Sequence, residues 1–162
     1  MRQVTDVDHP VVSVVLCTYN RSHLLTPALD ALLRQGPDTP PYEVIVVDNN
    51  SADATRQVVE PFIASGIVRY AFEPSQGLSH ARNHGLSIAR ADLIAFTDDD
   101  VRVTSTWIRS IVDTFAEHPD LDMAPSMRIR AQQSTRADSS GRARPTAGPS
   151  PLTSTIRWRC PE

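Results

Sequence analysis

Three apolar runs limit what this chain can fold into: Val11–Cys17, Tyr42–Val47 and Leu93–Phe96. Each gives way to a polar cluster. The clusters are Thr18-Tyr19-Asn20-Arg21-Ser22, Asp48-Asn49-Asn50-Ser51-Ala52-Asp53 and Asp98-Asp99-Asp100. The first two runs are rich in β-branched residues and apolar almost throughout, which suits strands covered on both faces. Between the runs the pattern turns helical. Leu24, Leu25, Ala28, Leu29, Leu32 and Leu33 repeat with the period of an amphipathic helix. Further helices are predicted from about Asp53 through Val59, from Ser79 to about Arg90, and over Trp107, Ile108, Ile111, Val112 and Phe115, a core stripe. Ile67–Phe72 alternates as a strand with one more exposed face. The order β-α-β-α-β-α-β-α predicts an α/β fold: a mostly parallel, Rossmann-like sheet of about four strands with flanking helices and right-handed crossovers.

Local signals punctuate the elements. Pro27 is either the first helical residue after a Thr26 cap or part of an earlier first turn. Gly36-Pro37 ends that helix, Pro61 kinks or ends the next, and Gly66 closes the segment. Ser79 is a candidate cap for the third helix, and Thr104 or Ser105 for the fourth, which His118-Pro119 stops. Gly85 inside a helix costs about 1 kcal/mol against Ala, so close packing is expected there.

Charge divides the chain. Residues 1–122 carry nine Arg against 17 acids, whereas residues 123–162 carry seven Arg against two. No lysine occurs. The break near Met123 sets the expected organisation: an N-terminal arm over 1–10, one domain over 11–123, and a low-complexity Arg/Ser/Pro-rich tail over 124–162, expected to be disordered. Arg128–Gln133 is a brief strand or helix at most, and Ile156 and Trp158 stand isolated. The tail composition also resembles a GC-rich coding region read out of frame. Cys17 and Cys160 make no disulfide framework, and Cys17 is expected to be a reduced core thiol. No apolar run approaches the ~18 residues of a membrane span, and the N-terminus lacks a signal-peptide apolar region. A cytoplasmic protein is expected.

In such a sheet the loops after strands 1, 2 and 4 collect on one rim. Three adjacent acids alone are an ordinary solvated turn, but at the end of a core strand they repel one another and call for a cation or donor. A helix opened by Gly77–Ser79 adds an N-terminus suited to an anion. Carboxylates, Asn, Thr and Arg on one rim suit a diphosphate bridged by a divalent cation. Oxygen-only ligands point to Mn²⁺ or Mg²⁺ rather than zinc.

Four motifs in order resemble family 2 glycosyltransferases: Val12–Arg21, Glu43–Ser51, Gly77–Gly85 and Phe96–Asp100. The resemblance spans about residues 11–123 and implies the nucleotide-sugar half of the fold called GT-A. It implies that Thr18, Tyr19 and Arg21 line the base and ribose pocket. Asp48 would bond the base, commonly uracil. Arg82 with Asn83 would approach base or phosphates. Asp98 would sit on the ribose side and share the metal site, with Asp100 carrying the metal that bridges the diphosphate, so that Asp98-Asp99-Asp100 is this chain's Asp-x-Asp motif. A metal-dependent, inverting transfer from a nucleotide sugar, a UDP-sugar favoured, to a polysaccharide, lipid or protein acceptor would follow.

The chain departs from the family in three places. Gln76 stands where Asn is common, and Asp48-Asn49-Asn50 replaces Asp-Asp-Gly. Beyond Met123 no segment matches the acceptor-binding half, so no catalytic base is assigned. The alternative function is an inactive, truncated fragment that at most binds a nucleotide sugar.

Other classes fit less well. Asp48 could simply cap the next helix, as Asn50 or Ser51 could equally, and Arg82 could pair with a surface acid. His80 and His84 have a zinc-compatible spacing without a third ligand. Scattered Arg without interleaved aromatics makes the tail a solvated segment rather than a nucleic-acid binder, although peripheral membrane association stays open. A phospho-acceptor receiver domain needs a lysine this chain lacks. A sugar nucleotidyltransferase usually has a Gly-rich loop after strand 1, and Cys17–Arg21 contains no glycine.

Overall fold

The computed structural model describes residues 9–118, together with the backbone of Met123–Ala124 and Thr155–Arg157. The expected alternation is present: β1 (Val12–Thr18), α1 (Ser22–Leu33), β2 (Tyr42–Asp48), α2 (Thr55–Ile63), β3 (Val68–Phe72), α3 (Leu78–Ile88), β4 (Leu93–Asp98) and α4 (Trp107–Glu117). These four strands pair in parallel in the order β3-β2-β1-β4. Two short strands, β5 (Met123–Ala124) and β6 (Thr155–Arg157), extend the sheet. β6 runs antiparallel to β4, and β5 antiparallel to β6. The tail expected to be disordered from residue 124 thus returns to the sheet at Thr155–Arg157, and Ile156 is a strand residue rather than an isolated one. The remainder of that tail, including Arg128–Gln133, Ser134–Ser154 and Trp158, lies outside the described residues, as does most of the arm over 1–10.

β1 and β2 are apolar because both faces are covered. One face packs Leu25, Leu29 and Leu32 of α1, Val59 of α2, and Trp107, Ile108, Ile111 and Phe115 of α4 onto Val12, Val14, Leu16, Val44 and Val46. Among the described residues the other face carries α3, with Ala81 against Val15, Ile45, Val47, Ile94 and Phe96. Gly85 makes that contact close. A Cβ there would run into Val15 Cγ1, which gives the close packing expected at Gly85 its partner.

The helix ends differ from expectation. Pro27 and Pro61 both lie inside their helices, past the first turn, each at the cost of one backbone hydrogen bond. α2 begins at Thr55, with the Asp53 carboxylate accepting the Thr55 amide at 3.0 Å. The α3 cap is Gly77 rather than Ser79, and the α4 cap is Thr106 rather than Thr104 or Ser105. None of the four helices has a side-chain hydrogen bond from its capping residue. No helix among the described residues is long and apolar enough to cross a membrane.

One buried acid fastens the opposite end of the sheet from the rim. Glu43 is fully buried and accepts Ser13 Oγ at 2.7 Å, Arg69 Nη1 at 2.6 Å and the Arg90 amide at 2.8 Å. Burial pushes its pKa up, but these donors outweigh it and hold the carboxyl below the usual glutamate range.

Candidate functional site

β1 is the point where the sheet order reverses, with β2 on one side and β4 on the other. Open α/β sheets bind ligands outside the carboxyl ends of strands at such a point. Here the register sets Cys17 beside Asp98 and Thr18 beside Asp48. A cleft of about 430 Å³ opens there. β1 and its loop contribute Cys17, Thr18, Tyr19 and Arg21; β4 and its loop contribute Asp98, Asp99 and Asp100. Asn49 lines it after β2, and Gln76, Gly77, Leu78 and Ala81 form the side built from the start of α3.

The three acids differ. Asp99 is buried, and its carboxylate accepts Thr18 Oγ1 at 2.9 Å and Arg21 Nη1 at 3.2 Å. Arg102 Nη1 donates to its carbonyl at 3.1 Å. Asp98 is half-buried, and no hydrogen bond reaches its carboxylate among the described residues. Burial raises its pKa; Arg82 opposes this, whereas Asp100 and Asp99 reinforce it. Asp100 is exposed and 3.9 Å from Arg21 Nη1. Asp98 and Asp100 thus carry carboxylate oxygens available to a ligand on either side of a structural Asp99. A half-buried carboxylate without a donor, next to two like charges, is chemistry that a hard divalent cation fits. Among the described residues no group of three or more His, Cys, Asp or Glu side chains is arranged to hold a metal, so other ligands would have to complete the shell around Asp98 and Asp100.

The rim loops are stitched together. Asn20, at φ 51°, accepts the Ala52 amide at 2.8 Å, and its own amide donates to Ser51 Oγ at 2.9 Å. The Ser22 amide donates to Asp53 Oδ2 at 2.9 Å. Asn49 is buried and binds the loop between β3 and α3. Its Nδ2 donates to the carbonyls of Ser75 at 2.8 Å and Glu73 at 3.3 Å, and its Oδ1 accepts the Gly77 amide at 2.8 Å.

The family model for glycosyl transferase family 2 matches residues 13–158. The chain belongs to that family. Similar proteins include a validoxylamine A glucosyltransferase from Streptomyces hygroscopicus, 37% identical over 109 residues, covering 66% of this chain and 26% of that protein. A glucosyl-dolichyl phosphate glucuronosyltransferase from Haloferax volcanii is 32% identical over 112 residues, covering 67% and 35%. The chain therefore spans about a quarter to a third of the length of these relatives. Among solved structures, a mannosyltransferase from Pyrobaculum calidifontis in complex with GDP-Man and Mn²⁺ superposes with a TM-score of 0.66 at 26% identity, covering 74% of this chain and 36% of that one. TarS 1-349 from S. aureus in complex with UDP-GlcNAc gives 0.64 at 26% identity, covering 83% and 37%.

The residues that family 2 motifs single out separate into two groups. Thr18, Tyr19, Arg21, Asp98 and Asp100 all line the cleft. Asp48, Arg82 and Asn83 do not. Asp48 is buried, and its two oxygens accept the Ser51 amide at 2.9 Å and Tyr70 Oη at 2.7 Å, so it holds the turn after β2 against β3. Arg82 lies over the Phe96 ring, 5.5 Å from its centre, and acts on Asp98 through its charge. Asn83 is exposed on α3. His84 Nδ1 lies 3.2 Å from Glu73 Oε2, without hydrogen-bonding alignment, and pairs with it when the ring is protonated. Cys17 lines the cleft instead of sitting wholly in the core, and burial pushes its thiol up to about 12. Asn49 and Asp99 had no assigned role in the sequence. Their one signal was position, each next to a motif acid at a strand end.

Proposed function

We propose that this chain forms the donor-binding part of a glycosyltransferase, holding a nucleoside-diphosphate sugar in the cleft between the ends of β1 and β4. The observation that carries this reading is the acid triplet: Asp99 turned inward onto Thr18 and Arg21, with Asp98 and Asp100 left on the cleft. A UDP-sugar is the favoured donor, in keeping with the UDP-GlcNAc and UDP complexes of the TarS neighbour. Asp98 and Asp100 would hold Mn²⁺ or Mg²⁺, which supplies charge neutralisation for a diphosphate leaving group.

The chain's own residues position and polarise the donor. Thr18 and Arg21 are fixed by Asp99. Arg21 brings positive charge beside the phosphates, and Tyr19, 45% exposed, offers a ring to the nucleoside. The first turn of α3 begins at the cleft without a side-chain cap, so its backbone amides favour the diphosphate. Sugar transfer with inversion also needs a base to take the acceptor hydroxyl proton. Asp98, Asp99 and Asp100 are the only carboxylates lining the cleft among the described residues, and each already has a role. A second reading is that this chain binds the donor without transferring the sugar.

Calorimetry with UDP and Mn²⁺, paired with a turnover assay, decides between them. Metal-dependent binding with transfer or donor hydrolysis supports the transferase. Binding alone supports the second reading. Asp100→Ala should remove metal-dependent binding while the domain stays folded; unchanged affinity would exclude this site.

A further inference from the structure

We propose that Asn49 is a positioning residue for the donor, holding the Gln76–Leu78 side of the cleft in place. The inference rests on the cleft being the donor site.

The side-chain amide of Asn49 is spent entirely on one segment. Both Nδ2 bonds and the Oδ1 bond go to backbone atoms of Glu73, Ser75 and Gly77, the connection from β3 to α3. Asn49 itself is fixed, 5% exposed at the end of β2, with its amide donating to the Thr18 carbonyl at 2.9 Å. It therefore joins the residue that meets Asp99 to the loop that opens α3.

The other bonds of that loop lie at its start, where the Glu73 amide donates to the Asp48 carbonyl at 2.9 Å and the Ser75 amide to Glu73 Oε1 at 2.7 Å. Gly77 has φ 140°, a conformation that side-chain-bearing residues rarely adopt, and no side chain of its own to cap the helix. The Asn49 oxygen takes the Gly77 amide and so fixes where α3 begins. The first turn of α3 contributes Leu78 and Ala81 to the cleft. An amide is suited to this task because it donates to two carbonyls and accepts from one N–H with the same group. Alanine removes all three bonds. Aspartate keeps the acceptor for Gly77 but sets negative charge against two carbonyl oxygens.

The test compares the full-length wild type with Asn49→Ala, Asn49→Asp and Glu43→Gln. Glu43 lies at the far end of β2 from the cleft and controls for lost stability. Affinity for UDP with Mn²⁺ is read by calorimetry, and backbone exchange over residues 73–81 by mass spectrometry. Asn49→Ala should weaken binding about tenfold and speed exchange over 73–81. Asn49→Asp should recover part of that loss, and Glu43→Gln should keep wild-type affinity. Wild-type affinity in Asn49→Ala would overturn the proposal, as would equal losses in Asn49→Ala and Glu43→Gln at matched stability. Should Asn49→Ala fail to fold, Asn49→Asp decides, and undiminished affinity there overturns it. If the wild type binds no nucleotide, the donor reading falls with it. The exchange comparison then shows separately whether Asn49 holds the loop, and unchanged exchange would overturn that as well.

Discussion

The Thr18 hydroxyl donates to Asp99 Oδ2 at 2.9 Å, joining the end of β1 to the turn that follows β4. Arg21 donates to the other oxygen of the same carboxylate at 3.2 Å. Asp99 therefore belongs to the scaffold although it sits between two acids whose carboxylates are left on the cleft. Asp99→Ala should cost about 2–3 kcal/mol, because it strands a buried hydroxyl and releases Arg21. Urea unfolding at neutral pH measures this, and a loss under about 0.5 kcal/mol, the range of ordinary surface changes, would contradict it.

Asp98 should behave in the opposite way. Its carboxylate is half-buried beside like charges with no hydrogen-bond donor among the described residues, so burial makes ionisation less favourable in the folded chain, with Arg82 opposing in part. Its raised folded pKa means that the folded state gives up stability as pH rises from the ordinary aspartate value through the folded one. At neutral pH, Asp98→Asn should therefore be as stable as wild type or more so, by up to about 0.5–2 kcal/mol. It should also lose Mn²⁺-dependent UDP binding. A variant that unfolds more readily than wild type in metal-free buffer would refute the first half of this prediction.

Glu43 gives the fold a definite acid sensitivity. Its folded pKa lies below the ordinary value of 4.5, because the Ser13, Arg69 and Arg90 donors overcome the cost of burial. A depressed carboxylate contributes stability that is complete above the unfolded pKa and fades as pH falls through the folded one. Wild type should lose more unfolding free energy between pH 7 and pH 3 than Glu43→Gln, which has no charge to neutralise. Parallel pH profiles for the two proteins would remove Glu43 from the explanation.

Gly85 tests how tightly α3 is seated. Alanine gains about 1 kcal/mol of helix propensity over glycine, but its Cβ runs into Val15, whose branched side chain has no room to retreat in the core. Overpacking costs about 1–3 kcal/mol, so Gly85→Ala should be net destabilising. The double variant with Val15→Ala should recover part of the loss if the clash is its cause. Additive destabilisation would point to another origin.

Much of this was legible in the chain itself. Val12–Thr18 and Tyr42–Asp48 read as strands because burial on both faces leaves a continuous apolar run. Thr18, Arg21, Asp98 and Asp100 could be placed on one rim because polar groups directly after such strands have only one edge to occupy, and the resemblance to family 2 motifs marked them as candidates. The helix starts were misread for a physical reason. Ser79, Thr104 and Ser105 were chosen for local capping, but the start of α3 is held from another strand by Asn49, and the Ser22 amide of α1 is held from another loop by Asp53. Such bonds pair residues 28 and 31 positions apart, and no local pattern records them. Asp48 shows the same limit. Its partner Tyr70 comes from the neighbouring strand, and that pairing turns a motif acid toward the fold.

The antiparallel contact of Thr155–Arg157 with Leu93–Ala95 has a consequence for the order of events in synthesis. The strand that carries the acids has β1 on one side from early on, but its other edge is met by residues made some 60 positions later. Until they emerge, that edge has no strand partner among the described residues and is open to pairing with another strand nearby. A ribosome stalled before residue 155 would hold a domain whose cleft is built and whose flank is still adhesive, a state in which a chaperone or a second nascent chain competes for the same hydrogen bonds.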